Sequence, residues 1–330
     1  MIKLTTIDSR ETSKRIKDEI SANLNWVNER SRNYIKDIIL LINKEIGINK
    51  IHTVLLFGSQ QGDKDNTNIS DCDLLFIFKD RVSKHHLNEI ERYFIALEIK
   101  HKFKEPSTKL TKNILGVINY TTGMFISHFL TKKEFWDKAI FYKIFRVNKV
   151  FSYIFAPKHI VLSNVILNST LLYGEDLRLS IKPQINISIK EMFRSLVMNL
   201  FICIFGIILT PRTKLNSIKY ILESIKWSLK SANYFCFKDT RDLKKIVERF
   251  IALEKKSKRK QAEIFFDKFM NLRKKPINDL SFILSTPLRI LKLHIKAISY
   301  RKLIKKKPPK ILTTKQKEKI IDQRIFTLRF

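Results

Sequence analysis

Apolar residues recur at near-helical spacing at the start of the chain, at Ile16, Ile20, Leu24, Val27, Ile35, Ile38, Ile42 and Ile46, among Lys, Arg, Glu and Asn. The pattern predicts one long helix or two over residues 9–46, ended by Gly47. It then changes period. Ile-His-Thr-Val-Leu-Leu-Phe at 51–57 and Leu-Leu-Phe-Ile-Phe at 74–78 are short apolar runs that read as buried strands. Between them lies a polar stretch with two glycines and several turn formers. Residues 83–99 place Leu87, Ile90, Phe94 and Leu97 on one helical face. Two further strands are expected at 114–120 and 124–130, joined as a hairpin by Thr-Thr-Gly. Pro157 opens a helix expected to run to Tyr173, with Gly174 as its left-handed cap.

Beyond Pro183 the strand signals stop. Helices of about 20 residues follow, punctuated by Thr210-Pro211, Lys275-Pro276 and Pro308-Pro309. The expected organisation is an N-terminal helical segment (1–46), an α+β domain (47–180) with a small mixed sheet flanked by helices, and an all-α domain with a C-terminal tail (184–330). The apolar run at 196–209 is interrupted by Asn199 and is shorter than the roughly 18 to 20 residues that span a bilayer. It is expected to be the central helix of a bundle, with no transmembrane segment.

Charge adds a partner class. The chain carries a formal net charge of +33, a field that must be solvated or meet an anion. Residues 1–180 hold 28 basic and 20 acidic side chains, and residues 181–330 hold 36 and 11. The excess therefore belongs to the helical half, with dense runs at 255–260 and 301–307. Nucleic acid, nucleotide or anionic lipid are the partners such a field attracts, with membrane-surface contact ranked below RNA. Cys72, Cys203 and Cys236 are far apart in sequence, without metal-site spacing, and read as thiols in a reducing, cytoplasmic setting. The N-terminus lacks the pattern of a secretory leader.

The chemistry-bearing segment runs from the first strand through Gly58-Ser59 to Ser70-Asp71-Cys72-Asp73 and straight into the second strand. At a period of two, Asp71 and Asp73 project from one side of a strand, close enough to share a divalent cation. Mg²⁺ suits them, since it takes one or two carboxylates and completes its shell with water and phosphate oxygens. Gly58 has no Cβ to keep backbone N–H groups from a phosphate, and Ser59 adds a hydroxyl. Cys72, between the aspartates, points to the opposite face as a small buried side chain.

With these residues the chain resembles the polymerase-β-like nucleotidyltransferase superfamily, whose mark is Gly-Ser followed some ten residues later by Asp-x-Asp, each beside a strand. The segment Leu-Leu-Tyr-Gly-Glu-Asp-Leu at 171–177 is similar to the end of the catalytic domain in small prokaryotic members that continue into a helical domain. The resemblance implies that Asp71 and Asp73 bind Mg²⁺, two ions in all, and that Gly58 and Ser59 hold the far phosphates of an NTP. An acceptor hydroxyl would attack the α-phosphorus and pyrophosphate would leave.

Two departures from that family pattern stand in the sequence. No third carboxylate occurs on the strand expected at 124–130, where His128 is the only titratable side chain and Glu134 and Asp137 follow in the next turn. The Arg that commonly follows Gly-Ser is replaced by Gln60 and Gln61. His128 alone on an apolar strand reads first as a structural histidine, and His85-His86 as the start of an exposed helix. A polycationic drug acceptor fits poorly, because like charges about 4 Å apart at an effective dielectric near 20 cost about 4 kcal/mol. RNA or another nucleic acid is the expected acceptor. The rival is a catalytically degenerate member that binds nucleotide or RNA, in a regulatory or antitoxin-like role.

Overall fold

The structure is a computed structural model that describes residues 5–57, 72–103, 126–181, 185, 187–211 and 214–306. The chain divides into two compact units, Met1–Asn186 and Ile187–Phe330. The first is mixed α+β; the described part of the second is helical.

The first unit opens with two helices, α1 (Thr5–Ala22) and α2 (Glu29–Glu45). The break between them is fixed by Asn28, whose side-chain oxygen accepts from the Ser31 N–H at 2.8 Å and caps α2. At the other end the Gly47 N–H reaches back to Ile42 O at 2.9 Å, with Gly47 at φ +90. That left-handed conformation turns the chain out of the helix. A 3-10 turn (Ile48–Lys50) leads into β1 (Ile51–Phe57), and β2 (Asp73–Phe78) returns antiparallel to it. Helix α3 (Lys84–Lys100), capped by the Ser83 hydroxyl, leads towards β3 (His128–Lys132), which lies parallel to β2.

Four short helices follow: α4 (Lys133–Asp137), α5 (Phe141–Ile144), α6 (Lys149–Ile154) and α7 (Lys158–Leu167). Then come β4 (Thr170–Gly174) and α8 (Arg178–Ile181). The sheet order is β3-β2-β1-β4, with β4 antiparallel to β1.

The helix expected from Pro157 to Tyr173 is overturned here. It stops at Leu167 with Asn168 as its cap, and residues 170–174 form the edge strand β4. Alternation explains the change: Leu172 faces the core shared with α1 and α2, while Leu171 packs on the other side of the sheet. Gly174 has φ +84, and a Cβ there would stand 2.0 Å from His52 O. It is needed for backbone contact at the strand end and caps no helix. The strand expected at 124–130 is displaced, since the ladder begins at His128 and runs to Lys132. The strand expected at 114–120, its proposed hairpin partner, lies outside the described residues.

Each face of the sheet has its own core. Val54, Leu56, Cys72, Leu74, Phe76, Phe78 and Leu130 pack with Ile16, Ile20, Tyr34, Ile38, Ile42 and Phe94 from α1 to α3. Leu55, Leu75, Ile77 and Phe129 pack on the other side with Trp136, Phe145, Leu162 and Ile181. The N-terminal helices thus share one interior with the sheet.

In the second unit, α9 (Ile189–Leu209), α10 (Lys214–Phe237), α11 (Leu243–Ala252), α12 (Lys256–Lys274) and α13 (Leu280–Lys306) follow in turn. Gly206 of α9 lets α10 approach, since a Cβ would lie 3.0 Å from Ile221 Cδ1. A buried polar relay joins α9 to α13. Asn199 Nδ2 donates to Ser195 Oγ at 3.2 Å, and Ser195 Oγ lies 3.3 Å from His294 Nε2. His294 Nδ1 lies 2.9 Å from Ile290 O. A carbonyl only accepts, so Nδ1 carries the proton and Nε2 is the acceptor for the serine hydroxyl.

Candidate functional site

Strand pairing builds the site. Phe57, the last residue of β1, is the register partner of Asp73, the first of β2. The points where the chain leaves for Gly58-Ser59 and returns from Asp71 are therefore neighbours across one ladder, about 5 Å apart. Gly58, Ser59 and Asp71 themselves lie outside the described residues.

Asp73 is half-buried. By alternation it shares its face with Leu75 and Ile77, the face on which Phe57 and Phe129 stack with ring centroids 6.0 Å apart. Cys72 is fully buried in the opposite core, as its place between the aspartates requires. One carboxylate is thus held at a strand end beside apolar rings, where a lowered dielectric strengthens its attraction for a cation. Among the described residues no group of three His, Cys, Asp or Glu side chains could hold a metal ion.

The candidates for a third acidic or basic group are placed elsewhere. His128 pairs in register with Leu74 and lies on the same face as Cys72, across the sheet from Asp73. Its Nδ1 is 2.8 Å from Glu98 Oε1, its ring meets Phe94 edge-on at 5.1 Å, and both side chains are buried. Glu134 and Asp137 belong to α4, past the end of β3 that pairs with Phe78. Five residues of strand separate that end from Asp73, about 17 Å. Glu134 gives its N–H to Asp80 Oδ1 at 2.8 Å, and Asp137 holds Lys133 Nζ at 2.6 Å and the Ser180 hydroxyl at 3.1 Å. Beside Asp73 stands Ser127, the residue just before β3, whose carbonyl accepts the Leu74 N–H at 2.8 Å.

Two residues of this region escaped the sequence reading. Glu98 follows Phe94 by four on the apolar face of α3, and a carboxylate there signals a buried partner. Tyr34 of α2 is fully buried. Burial pushes its phenol above the ordinary value, and Glu98, Cys72 and Asp73 push the same way. His85 and His86 are exposed on the first turn of α3.

The segment 171–177 closes the far end of the sheet. Thr53 Oγ1 donates to Glu175 O at 2.7 Å, Trp136 Nε1 to Leu177 O at 2.8 Å, and Arg178 pairs with Asp176 at 2.6 Å. That hydrogen bond holds the Asp176 carboxyl below the usual range.

No protein-family model matches the chain, and no curated protein matches it.

Proposed function

We propose that the chain is a Mg²⁺-dependent nucleotidyltransferase that moves a nucleoside monophosphate from an NTP to an acceptor hydroxyl on RNA or another nucleic acid. The observation that carries this reading is the Phe57–Asp73 register pair, which sets the strand ends carrying Gly58-Ser59 and Asp71-Cys72-Asp73 side by side. Asp71 and Asp73 would hold the metal, and Gly58 and Ser59 the phosphates at the other end of the nucleotide. The metal, when bound, supplies the positive charge that offsets phosphate repulsion during attack on the α-phosphorus.

The acceptor class rests on charge. Lys255, Lys256, Lys258 and Lys260 are all exposed at the start of α12. A polyanion neutralised there binds with an affinity that falls steeply with salt.

Incubation with α-labelled NTPs, Mg²⁺ and total RNA tests the proposal, with Asp71→Ala and Asp73→Ala variants of confirmed fold alongside. The expected result is label in RNA from the wild type alone. Label in no acceptor, or equal label from the variants, overturns it.

One observation favours a second reading. Ser127, just before β3, and Phe129 within it occupy Asp73's side, where a third carboxylate would stand, and Glu134 and Asp137 are at the far end. A degenerate member that binds NTP or RNA without chemistry predicts nucleotide binding that Asp73→Ala weakens, with no labelled product.

A further inference from the structure

The second unit carries an apolar surface that its own core does not use. Among the described residues, α9 is the one helix long and apolar enough to cross a membrane, yet only 44% of its most apolar stretch is buried. A central bundle helix, as the sequence suggested, would be enclosed on all sides. Instead one half of α9, with Ser195, Asn199, Ile202, Cys203 and Gly206, faces its neighbours, and the other is open. Phe193, Phe201, Ile204 and Ile208 are 62%, 46%, 51% and 64% exposed. No charged residue occurs on α9 after Arg194.

Helix α13 extends that surface. Leu280, Leu284, Leu288, Leu291 and Ile295 are exposed at spacings of three and four, one stripe along the helix. The stripe borders the side of α13 that carries His294, which touches Ser195 of α9. The two exposed apolar rows therefore belong to helices packed directly against each other.

Charge identifies the occupant. α13 contains no Asp or Glu, and the single acid of α9, Glu191, is buried against Arg194 at 3.0 Å. Lys190, Lys292 and Lys302 are exposed along these helices. A second copy of a chain carrying +33 would bring like charge to this face. An anionic lipid surface meets both demands: its acyl layer takes the apolar rows and its headgroups take the lysines.

We propose that the α9–α13 face docks the protein on anionic membrane surfaces, lying in the interface without spanning it. This goes beyond nucleotidyl transfer and stands whether or not that activity exists.

The test is flotation of the full chain with vesicles of phosphatidylcholine alone or with phosphatidylglycerol. Wild type is compared with a Phe193→Ser/Ile204→Ser/Leu284→Ser variant and a Lys190→Glu/Lys292→Glu/Lys302→Glu variant. Exposed positions leave the fold intact, checked by thermal melting. The expected result is binding to anionic vesicles that the serine variant weakens by at least about tenfold, since each large side chain removed from water contributes about that factor. The glutamate variant should lose binding to the anionic vesicles. Wild type that stays with the unfloated fraction overturns the proposal, as does a serine variant that floats equally well. So does a wild-type dimer that the serine variant converts to monomer, because a second copy would then be the occupant.

Discussion

Glu98 and His128 form a buried pair, with Oε1 and Nδ1 2.8 Å apart, on the face of the sheet opposite Asp73. The histidine that stood nearest to a catalytic base in sequence thus ties α3 to β3. The pair bonds a helix to the strand parallel to β2, and neither of its side chains stands on Asp73's face of the sheet.

Removing one partner leaves the other buried and unmatched. Glu98→Ala is expected to destabilise the protein by about 3 kcal/mol, and Glu98→Gln by less, because an amide can still accept from or donate to the ring. Urea unfolding followed by circular dichroism measures both. Equal stability of Glu98→Ala and wild type would show that water replaces the carboxylate without loss.

Gly174 allows no side chain. With φ +84 and His52 O 2.0 Å from an added Cβ, Gly174→Ala forces the β1–β4 ladder apart. A loss of about 2 kcal/mol or more is expected, visible as a lower Tm. Asp and Asn tolerate positive φ better than Ala elsewhere, but the backbone contact here excludes them equally.

His294 gives the second unit a pH dependence. Burial lowers its pKa to about 4, against 6.5 for an ordinary histidine. Opposing this, only the Ile290 carbonyl favours the charged form; Ser195 is the polar neighbour on α9, and the nearest cations on α13 are Lys292 and Lys296. Between these two pKa values the unfolded chain binds a proton that the folded one does not. The stability tied to this group is therefore complete above pH 6.5 and declines as pH falls towards 4, by about 3 kcal/mol in all. His294→Gln should flatten that slope in denaturation curves taken at pH 4.5 and 7.

Ser127 offers a gain-of-charge test of the site. Ser127→Asp puts a carboxylate beside Asp73 at the residue just before β3, where attraction for a divalent cation about 5 Å away at an effective dielectric near 20 is about 7 kcal/mol before desolvation and ordering costs. The expected outcome is Mg²⁺ binding tightened on the order of tenfold, read by calorimetry with Asp73→Ala as the control. Unchanged binding in a folded variant would count against a metal site at Asp73.

The strands and helices that hold the site could be read from the sequence because their signals are local. Ile51–Phe57 and Leu74–Phe78 are apolar runs bounded by polar residues, and Ser83 caps an amphipathic helix of the expected face. Residues 170–174 look like a continuation of the helix before them because Leu171, Leu172 and Tyr173 carry on its apolar run, while the partner that makes them a strand is β1, more than a hundred positions earlier. Similarly, Asp71 and Asp73 announce themselves by spacing, but the face on which His128 falls depends on its register with Leu74, which no local pattern encodes. The apolar content of α9 was evident; that half of it faces outward is a property of the packing.

Asn23 donates to the Leu172 carbonyl at 3.0 Å, fastening the opening helices to the outermost strand. A version of the protein begun at Gly47 would lose this tie together with Ile16, Ile20, Tyr34, Ile38 and Ile42. Val54, Leu56, Leu74 and Phe76 would then meet water across a whole side of the sheet, and such a fragment would aggregate before it could bind anything. The smallest soluble piece that carries Asp73 therefore has to include α1, although Gly58, Ser59, Asp71 and Asp73 all lie downstream of it.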